Sequence, residues 1–376
     1  MADFLALTSR GLIDVLAQEV ESLGFKVKNK NMSGVLFDTN WEGCYRANLQ
    51  LRTATRIIKP ILDFPAYDPE ELYNNVLKHD FTKYIPADGT FAIDATVRES
   101  SFHDQRFVAL KVKDAIADQF RQKFDIRPDV DTEDPDLTVV CRIVKNQVSL
   151  AINTSGPTLS TRGYRSEAGE APLREHLGAA LVKMAGGNDS VVLVDPMCGS
   201  GTFLIEAALM ARNVAPGTFR KKFGFQTLNN FNPEVWDKVL TETMDAEKEY
   251  NELKLFGFDM DGTTLSKAKR NAERAGVDDI IQFEYSPITT LKNPTPDKKG
   301  ILIVNPPYGE RMGVDEQLKD VYKDLAYQLK REFIGWTCWI LSGNEELTRA
   351  LKLKATRRIP VFNGNIECRF LEYVIK

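Results

Sequence analysis

Two stretches of this sequence place polar residues just where an apolar strand ends. The run Ile301-Leu302-Ile303-Val304 leads directly into Asn305-Pro306-Pro307-Tyr308. Asn-Pro and Pro-Pro dipeptides mark turns, so a plain strand-ending turn explains these residues if they stand alone. Their chemistry suggests more. An exocyclic amine on a nucleobase is a poor nucleophile, because its lone pair is delocalised into the ring. The Asn305 side-chain oxygen and the Pro306 carbonyl offer two acceptors for the two N–H groups of such an amine. That pairing orients the amine, favours its pyramidal form and stabilises positive charge arriving on nitrogen. Pro306 and Pro307 hold the backbone rigidly, and Tyr308 offers a face for a planar base.

The second stretch is Asp195-Pro196-Met197-Cys198-Gly199-Ser200-Gly201-Thr202, again after an apolar run. Ligands of open α/β sheets bind beyond the carboxyl ends of the strands. Gly199 and Gly201 let backbone approach a ligand closely, and the helix starting near Thr202 turns free N–H groups toward the loop. A tight turn with no ligand explains a lone Gly-x-Gly equally well. The phosphate-binding lysine of a P-loop is missing, and Leu204 stands where a dinucleotide fingerprint wants its third glycine. A nicotinamide cofactor therefore fits badly. S-adenosylmethionine, which has no phosphates, fits better. Asp195 suits its cationic methionine end, and Asp259, at the end of the next strand, suits both ribose hydroxyls. Asp261 is the better N-cap for the helix that follows, which leaves Asp259 free for a ligand.

Elements must hold these residues at one edge. From residue 190 onward, strands alternate with helices, the pattern of a doubly wound parallel sheet, and the chain closes with two strands around Asn363-Gly364, a strong hairpin signal. Residues 1–64 read β-α-β-β-α-β, a ferredoxin-like order. Residues 65–160 add strands and a helix whose apolar face is Val108, Val112, Ile116, Phe120 and Phe124. The polar stretch after Asn153 reads as a linker. The predicted domains are thus 1–64, 65–160 and 161–376, the last with its own sheet and expected to fold alone.

Composition excludes several classes. The net charge of −4 advertises no anionic partner in bulk, so any such partner must meet local patches. Five cysteines without a C-x-x-C pair imply reduced thiols in a cytoplasmic protein, and with three scattered histidines they imply no metal site. The N-terminal residues lack the basic and apolar regions of a signal peptide, and no run reaches membrane-spanning length.

Together "STRGYR", "EAPLREHLGAALV", "DPMCGSGTFLIEAALMARNVAPG", "GFDMD", "NPPYGERMG" and "NGNIE" resemble the THUMP-domain guanine-N2 methyltransferases of bacterial 23S ribosomal RNA. "NPPY" alone is shared with DNA adenine and protein-glutamine methyltransferases; the joint set is more specific. The resemblance covers nearly the whole chain. It implies a Rossmann-like class I S-adenosylmethionine methyltransferase domain, preceded by a ferredoxin-like region and a THUMP RNA-binding domain. It places Asp195, Pro196, Cys198, Gly199, Ser200, Gly201, Thr202, Asp259 and Met260 at the cofactor, and Asn305, Pro306, Pro307 and Tyr308 at the reacting base. One departure stands out: the third strand ends in Ser286 and Pro287, where such enzymes carry an acid for adenine, so Ser286 is the candidate in its place. A transfer-RNA methyltransferase, a DNA adenine-N6 methyltransferase and a non-catalytic RNA-binding protein are the other readings.

RNA phosphates call for basic residues. Arg46, Arg52, Arg56 and Lys59 lie in an acid-free stretch, Arg106 and Lys111 lie on the THUMP-like helix, and Arg162, Tyr164 and Arg165 combine cation with aromatic in the linker. A solvated helix face explains any one cluster, and a packed hinge explains the linker group equally well.

Overall fold

The structure is a computed structural model, and it describes residues 1–165, 173–187, 192–249, 252–307 and 316–376. The N-terminal half carries β1 (Ala2–Leu7), α1 (Ile13–Ser22), β2 (Lys26–Asn31), β3 (Gly34–Thr39), α2 (Trp41–Gln50), β4 (Arg56–Pro65), α3 (Pro69–Leu77), β5 (Thr90–Arg98), α4 (Gln105–Phe124), β6 (Asp129–Val130), β7 (Leu137–Val144) and β8 (Gln147–Asn153). Its first six elements have the ferredoxin-like order. All eight strands nevertheless form one sheet, ordered β2-β3-β1-β4-β8-β7-β5-β6. The expected boundary at residue 64 falls inside β4, which pairs with β1 on one side and, up to Pro65, with β8 on the other. Helix α4 buries Val108, Val112, Ile116 and Phe120, as its spacing requires. Phe124 is 40% exposed, because the helix ends there at a left-handed Asp125.

The C-terminal half carries α5 (Glu175–Met184), β9 (Val192–Asp195), α6 (Thr202–Ala211), α7 (Pro233–Asp245), β10 (Lys254–Asp259), α8 (Gly262–Arg274), β11 (Ile281–Tyr285), β12 (Gly300–Val304), α9 (Glu316–Glu332), β13 (Thr337–Ser342), α10 (Glu345–Ala350), β14 (Arg357–Asn363) and β15 (Ile366–Val374). The sheet order is β11-β10-β9-β12-β13-β15-β14, with the first five strands parallel and the closing hairpin antiparallel. Central strands β9, β12 and β13 are nearly all apolar because helices cover both faces. Sequence order thus brings Asp195, Asp259 and Asn305 to the carboxyl edge of three adjacent strands, spaced about 4.8 Å apart.

The two halves do not have separate cores. The segment between α6 and β10 leaves the catalytic sheet and packs into the N-terminal core through Ala215, Phe223, Phe225, Leu228 and Val239. Phe225 stacks on Tyr45 of α2 at 4.4 Å, and Trp236 of α7 meets both rings edge-on. In return Leu12, at the start of α1, is fully buried among core residues of the C-terminal half such as Val361, Cys368 and Phe370. This exchange of side chains argues against the expectation that 161–376 folds alone.

Candidate active site

The glycine loop is built for close approach. Gly199 (φ 54°) and Gly201 (φ 81°) both adopt the left-handed conformation. A Cβ on Gly201 would crowd Phe283 at 3.2 Å, whereas one on Gly199 would project into open space with nothing within 4 Å. The loop is tied down at its ends. Cys198 N–H donates to Phe258 O at 2.8 Å, and Asn271 of α8 donates to Ser200 O at 3.1 Å. Gly199 N–H donates to Asp259 Oδ2 at 2.9 Å.

Asp259 is therefore engaged. Its second oxygen accepts from Asp261 N–H at 2.9 Å, while Asp261 caps α8 through Thr263 N–H at 2.9 Å, as expected. Each carboxylate oxygen has two lone pairs, so one on each remains for a ligand hydroxyl. Asp195 is only 2% exposed and accepts from Met197 N–H at 3.2 Å. Burial pushes its carboxyl well above the usual range; the Met197 hydrogen bond opposes the rise and the charge of Asp259 adds to it. A cation placed beside this pair would relieve that cost. Burial, reinforced by both aspartates, likewise pushes the Cys198 thiol up. Pro196 and Thr202 are buried, and the Thr202 hydroxyl accepts from Arg165 at 2.5 Å. Met260 stands 68% exposed at the edge, an apolar side chain with no core to enter. Ser286 N–H donates to Asp259 O at 3.1 Å, and its hydroxyl turns back to Pro287 O at 3.3 Å.

Asn305 leaves β12 with its Oδ1 buried and, among the described residues, without a hydrogen-bond partner. A buried amide oxygen left unpaired costs about 1–3 kcal/mol, a cost a ligand donor removes. Pro306 is buried and Pro307 exposed. Tyr308 lies outside the described residues.

The basic residues divide sharply. Arg46 pairs with Glu42 at 2.9 Å and with Glu242 of α7. Arg52 is 8% exposed and donates to Leu209 O at 3.3 Å and to Val214 O, capping the end of α6. Arg162, 1% exposed, donates to Leu159 O at 2.9 Å and faces Glu206 at 3.4 Å; Tyr164 donates to the same carboxylate at 3.1 Å. Arg165 donates to Leu173 O at 3.0 Å. Arg46, Arg52, Arg162, Tyr164 and Arg165 are thus engaged in packing inside the chain, because carboxylates and helix ends hidden in the linear sequence pair with them. Arg56 pairs with Asp94 at 2.6 Å, and the Lys59 ammonium sits 5.0 Å from the Phe4 ring. Arg106 is exposed and Lys111 half-buried beside Phe107, so these two still face outward. Sequence reasoning missed Glu206. Its signal was present, a lone carboxylate in the otherwise apolar "TFLIEAALMA" of α6.

A Rossmann-like sheet with a glycine cradle, two edge aspartates and an asparagine oxygen buried at the end of the neighbouring strand defines an S-adenosylmethionine-dependent methyltransferase, here joined to a ferredoxin-like and THUMP half. The family described as "RMKL-like, methyltransferase domain" matches residues 162–372, and the chain belongs to that family. A THUMP domain matches residues 66–153, and the RlmL ferredoxin-like domain matches residues 3–58. The chain is 36% identical to "Putative RNA methyltransferase slr0064" of Synechocystis sp., covering 98% of this chain and 96% of that one. It is 38% identical to "Ribosomal RNA large subunit methyltransferase K/L" of Syntrophotalea carbinolica over 99% of its own length, but spans only 53% of that relative. Among solved structures, "SMU.472, a putative methyltransferase complexed with SAH" is similar over 100% of this chain and 98% of that one, with TM-score 0.91 and 28% identity. Among the described residues no helix is long and apolar enough to cross a membrane, and no group of His, Cys, Asp and Glu could hold a metal ion.

Proposed function

We propose that this chain methylates an exocyclic amine of an RNA base, guanine N2 of the large-subunit ribosomal RNA. The observation that carries the reading is the buried Asn305 Oδ1, without a hydrogen-bond partner among the described residues, at the end of the strand next to the one that leads into the open glycine cradle. S-adenosylmethionine, when bound, supplies an electrophilic methyl group on a sulfonium. The chain's residues do the rest. Asp195 answers the cationic methionine end, Asp259 takes the ribose hydroxyls on its remaining lone pairs, and Met260 covers one face of adenine. Asn305 Oδ1 and the Pro306 carbonyl accept the two N–H groups of the target amine. They hold its lone pair toward the cradle and stabilise the positive charge that develops on nitrogen. The resulting ammonium is acidic and sheds its proton to water, so no strong base is required. Family likeness supports RNA as substrate, since relatives named for ribosomal RNA share both halves of the chain.

The test has two arms. Calorimetry on the purified protein is expected to show binding of S-adenosylmethionine and none of NADH. Nucleoside mass spectrometry of ribosomal RNA from a deletion strain is expected to lack one N2-methylguanosine. An unchanged nucleoside profile, with a changed N6-methyladenine content in DNA, would assign the clamp to DNA instead.

A further inference from the structure

Three arginines from three separate segments converge at the hairpin end of the sheet. Arg10 follows β1 and is exposed, its guanidinium carbon 5.7 Å from the centroid of Phe362 on β14. Its loop is fixed there. Gly11 has φ 87°, and a Cβ on it would lie 2.3 Å from Pro360 O; Ser9 Oγ hydrogen-bonds His176 Nε2 at 2.8 Å. Arg174, just before α5, is also exposed, and its Nη2 comes within 3.9 Å of the Cβ that Gly364 lacks, in the hairpin turn. Arg369 of β15 is 54% exposed and pairs with Glu367, itself 58% exposed, at 3.1 Å, with the Glu345 carboxylate close enough to feel its charge. An exposed pair of that kind neutralises little. Among the described residues neither Arg10 nor Arg174 has an ion-pair partner.

This edge is also the edge of the clamp. Val304 pairs with Ile340 and Ile340 with Leu371, while Arg369 pairs with Ser342, two residues further toward the carboxyl edge. Arg369 is thus two strands from β12, and Phe362 three, a lateral separation of roughly 10–15 Å from the strand that Asn305 ends. That is the reach of the few nucleotides flanking a base held in the clamp. Gathering like charges on rigid backbone in a chain of net charge −4 is unfavourable until an anion arrives.

We infer that Arg10, Arg174 and Arg369 form a phosphate rail that guides the single strand flanking the target base, with the Arg10–Phe362 pair as a stacking platform for an unpaired nucleotide. The inference rests on the RNA reading above. It also gives the N-terminal domain a direct part in the site, since Arg10 belongs to that domain.

The test uses the full chain and protein-free transcribed 23S ribosomal RNA. The parent, the Arg10→Gln/Arg174→Gln variant and the Arg10→Lys/Arg174→Lys variant are compared for RNA affinity across a salt series, for KM and kcat, and for S-adenosylmethionine affinity. The glutamine variant is expected to lower the slope of log K against log salt by about 1.4–1.8, two contacts at 0.7–0.9 each, and to raise KM about tenfold. Its kcat and cofactor affinity should match the parent's, and the lysine variant should restore most of the slope. A parent that methylates RNA alongside a glutamine variant of unchanged slope and KM overturns the rail alone. A parent that neither binds nor methylates RNA overturns the rail together with the reading it rests on.

Discussion

Cutting the chain at residue 165 removes the partner of an aromatic cluster. Residues 166–376 would keep the whole catalytic sheet and glycine loop but expose Phe223, Phe225, Leu228 and Val239, each at most 4% exposed in the full chain. Fully burying a side chain of this size contributes about 1.5–3 kcal/mol. The four together contribute roughly 6–12 kcal/mol, and losing half of that burial costs about 3–6 kcal/mol, a large fraction of a typical domain's 5–15 kcal/mol. The cut also removes Arg162 and Tyr164, which leaves the buried Glu206 without either of its partners. The isolated catalytic segment is therefore expected to aggregate or to melt well below the full chain. Size-exclusion chromatography, a thermal melt and cofactor calorimetry on the fragment and the full chain test this. A monomeric fragment with a cooperative melt near the parent's and equal affinity for S-adenosylmethionine would refute the shared-core argument.

Three further outcomes follow from particular residues. Arg162→Ala takes the facing cation from a fully buried Glu206, which keeps the Tyr164 hydrogen bond, and should cost about 3 kcal/mol, seen as a lower denaturant midpoint, whereas Arg162→Met with Glu206→Leu should recover most of it. His176 is buried neutral, its pKa pushed down to about 3 by desolvation and then by Arg162 and Arg174. The unfolded chain takes up this proton first, so as pH falls below 6.5 stability should drop by up to about 1.4 kcal/mol per pH unit; His176→Gln should flatten that slope in urea titrations at pH 7 and 5. Asp259→Ala should weaken S-adenosylmethionine by about 1–3 kcal/mol in calorimetry, through lost ribose bonds and a freed Gly199 N–H, and unchanged affinity would remove Asp259 from the site.

What could be read from the sequence was whatever a strand end and its neighbouring residues decide locally. The Gly199–Gly201 turn, the Asp261 cap and the exit of Asn305 from β12 depend on a few adjacent residues, and the parallel order of strands placed them at one edge. The roles of the arginines depended on partners far away. Arg52 reads as a free cation until Leu209 and Val214 are seen to end α6 against it, and Arg162 until Glu206 appears 44 residues on. That the first two domains share one sheet was not legible, because an extended run such as Arg56–Pro65 does not reveal that both its edges are paired. The insertion between α6 and β10 shows clear helical signals, but nothing in its pattern says which core receives Phe225. Arg10 and Arg174 carried no signal at all, since their juxtaposition with the hairpin turn is purely tertiary.

The central claim is that the Asn305 oxygen is an acceptor for the base amine, and not a strand-ending turn residue. Single-turnover methyl transfer to protein-free 23S ribosomal RNA, followed by nucleoside mass spectrometry, tests it directly in the parent and in Asn305→Ala. Loss of one oriented polar contact to the charge that develops in the transition state predicts a rate lower by about 10²-fold or more. The melting temperature and S-adenosylmethionine affinity should stay near the parent's. A variant that transfers methyl at the parent's rate would contradict the account.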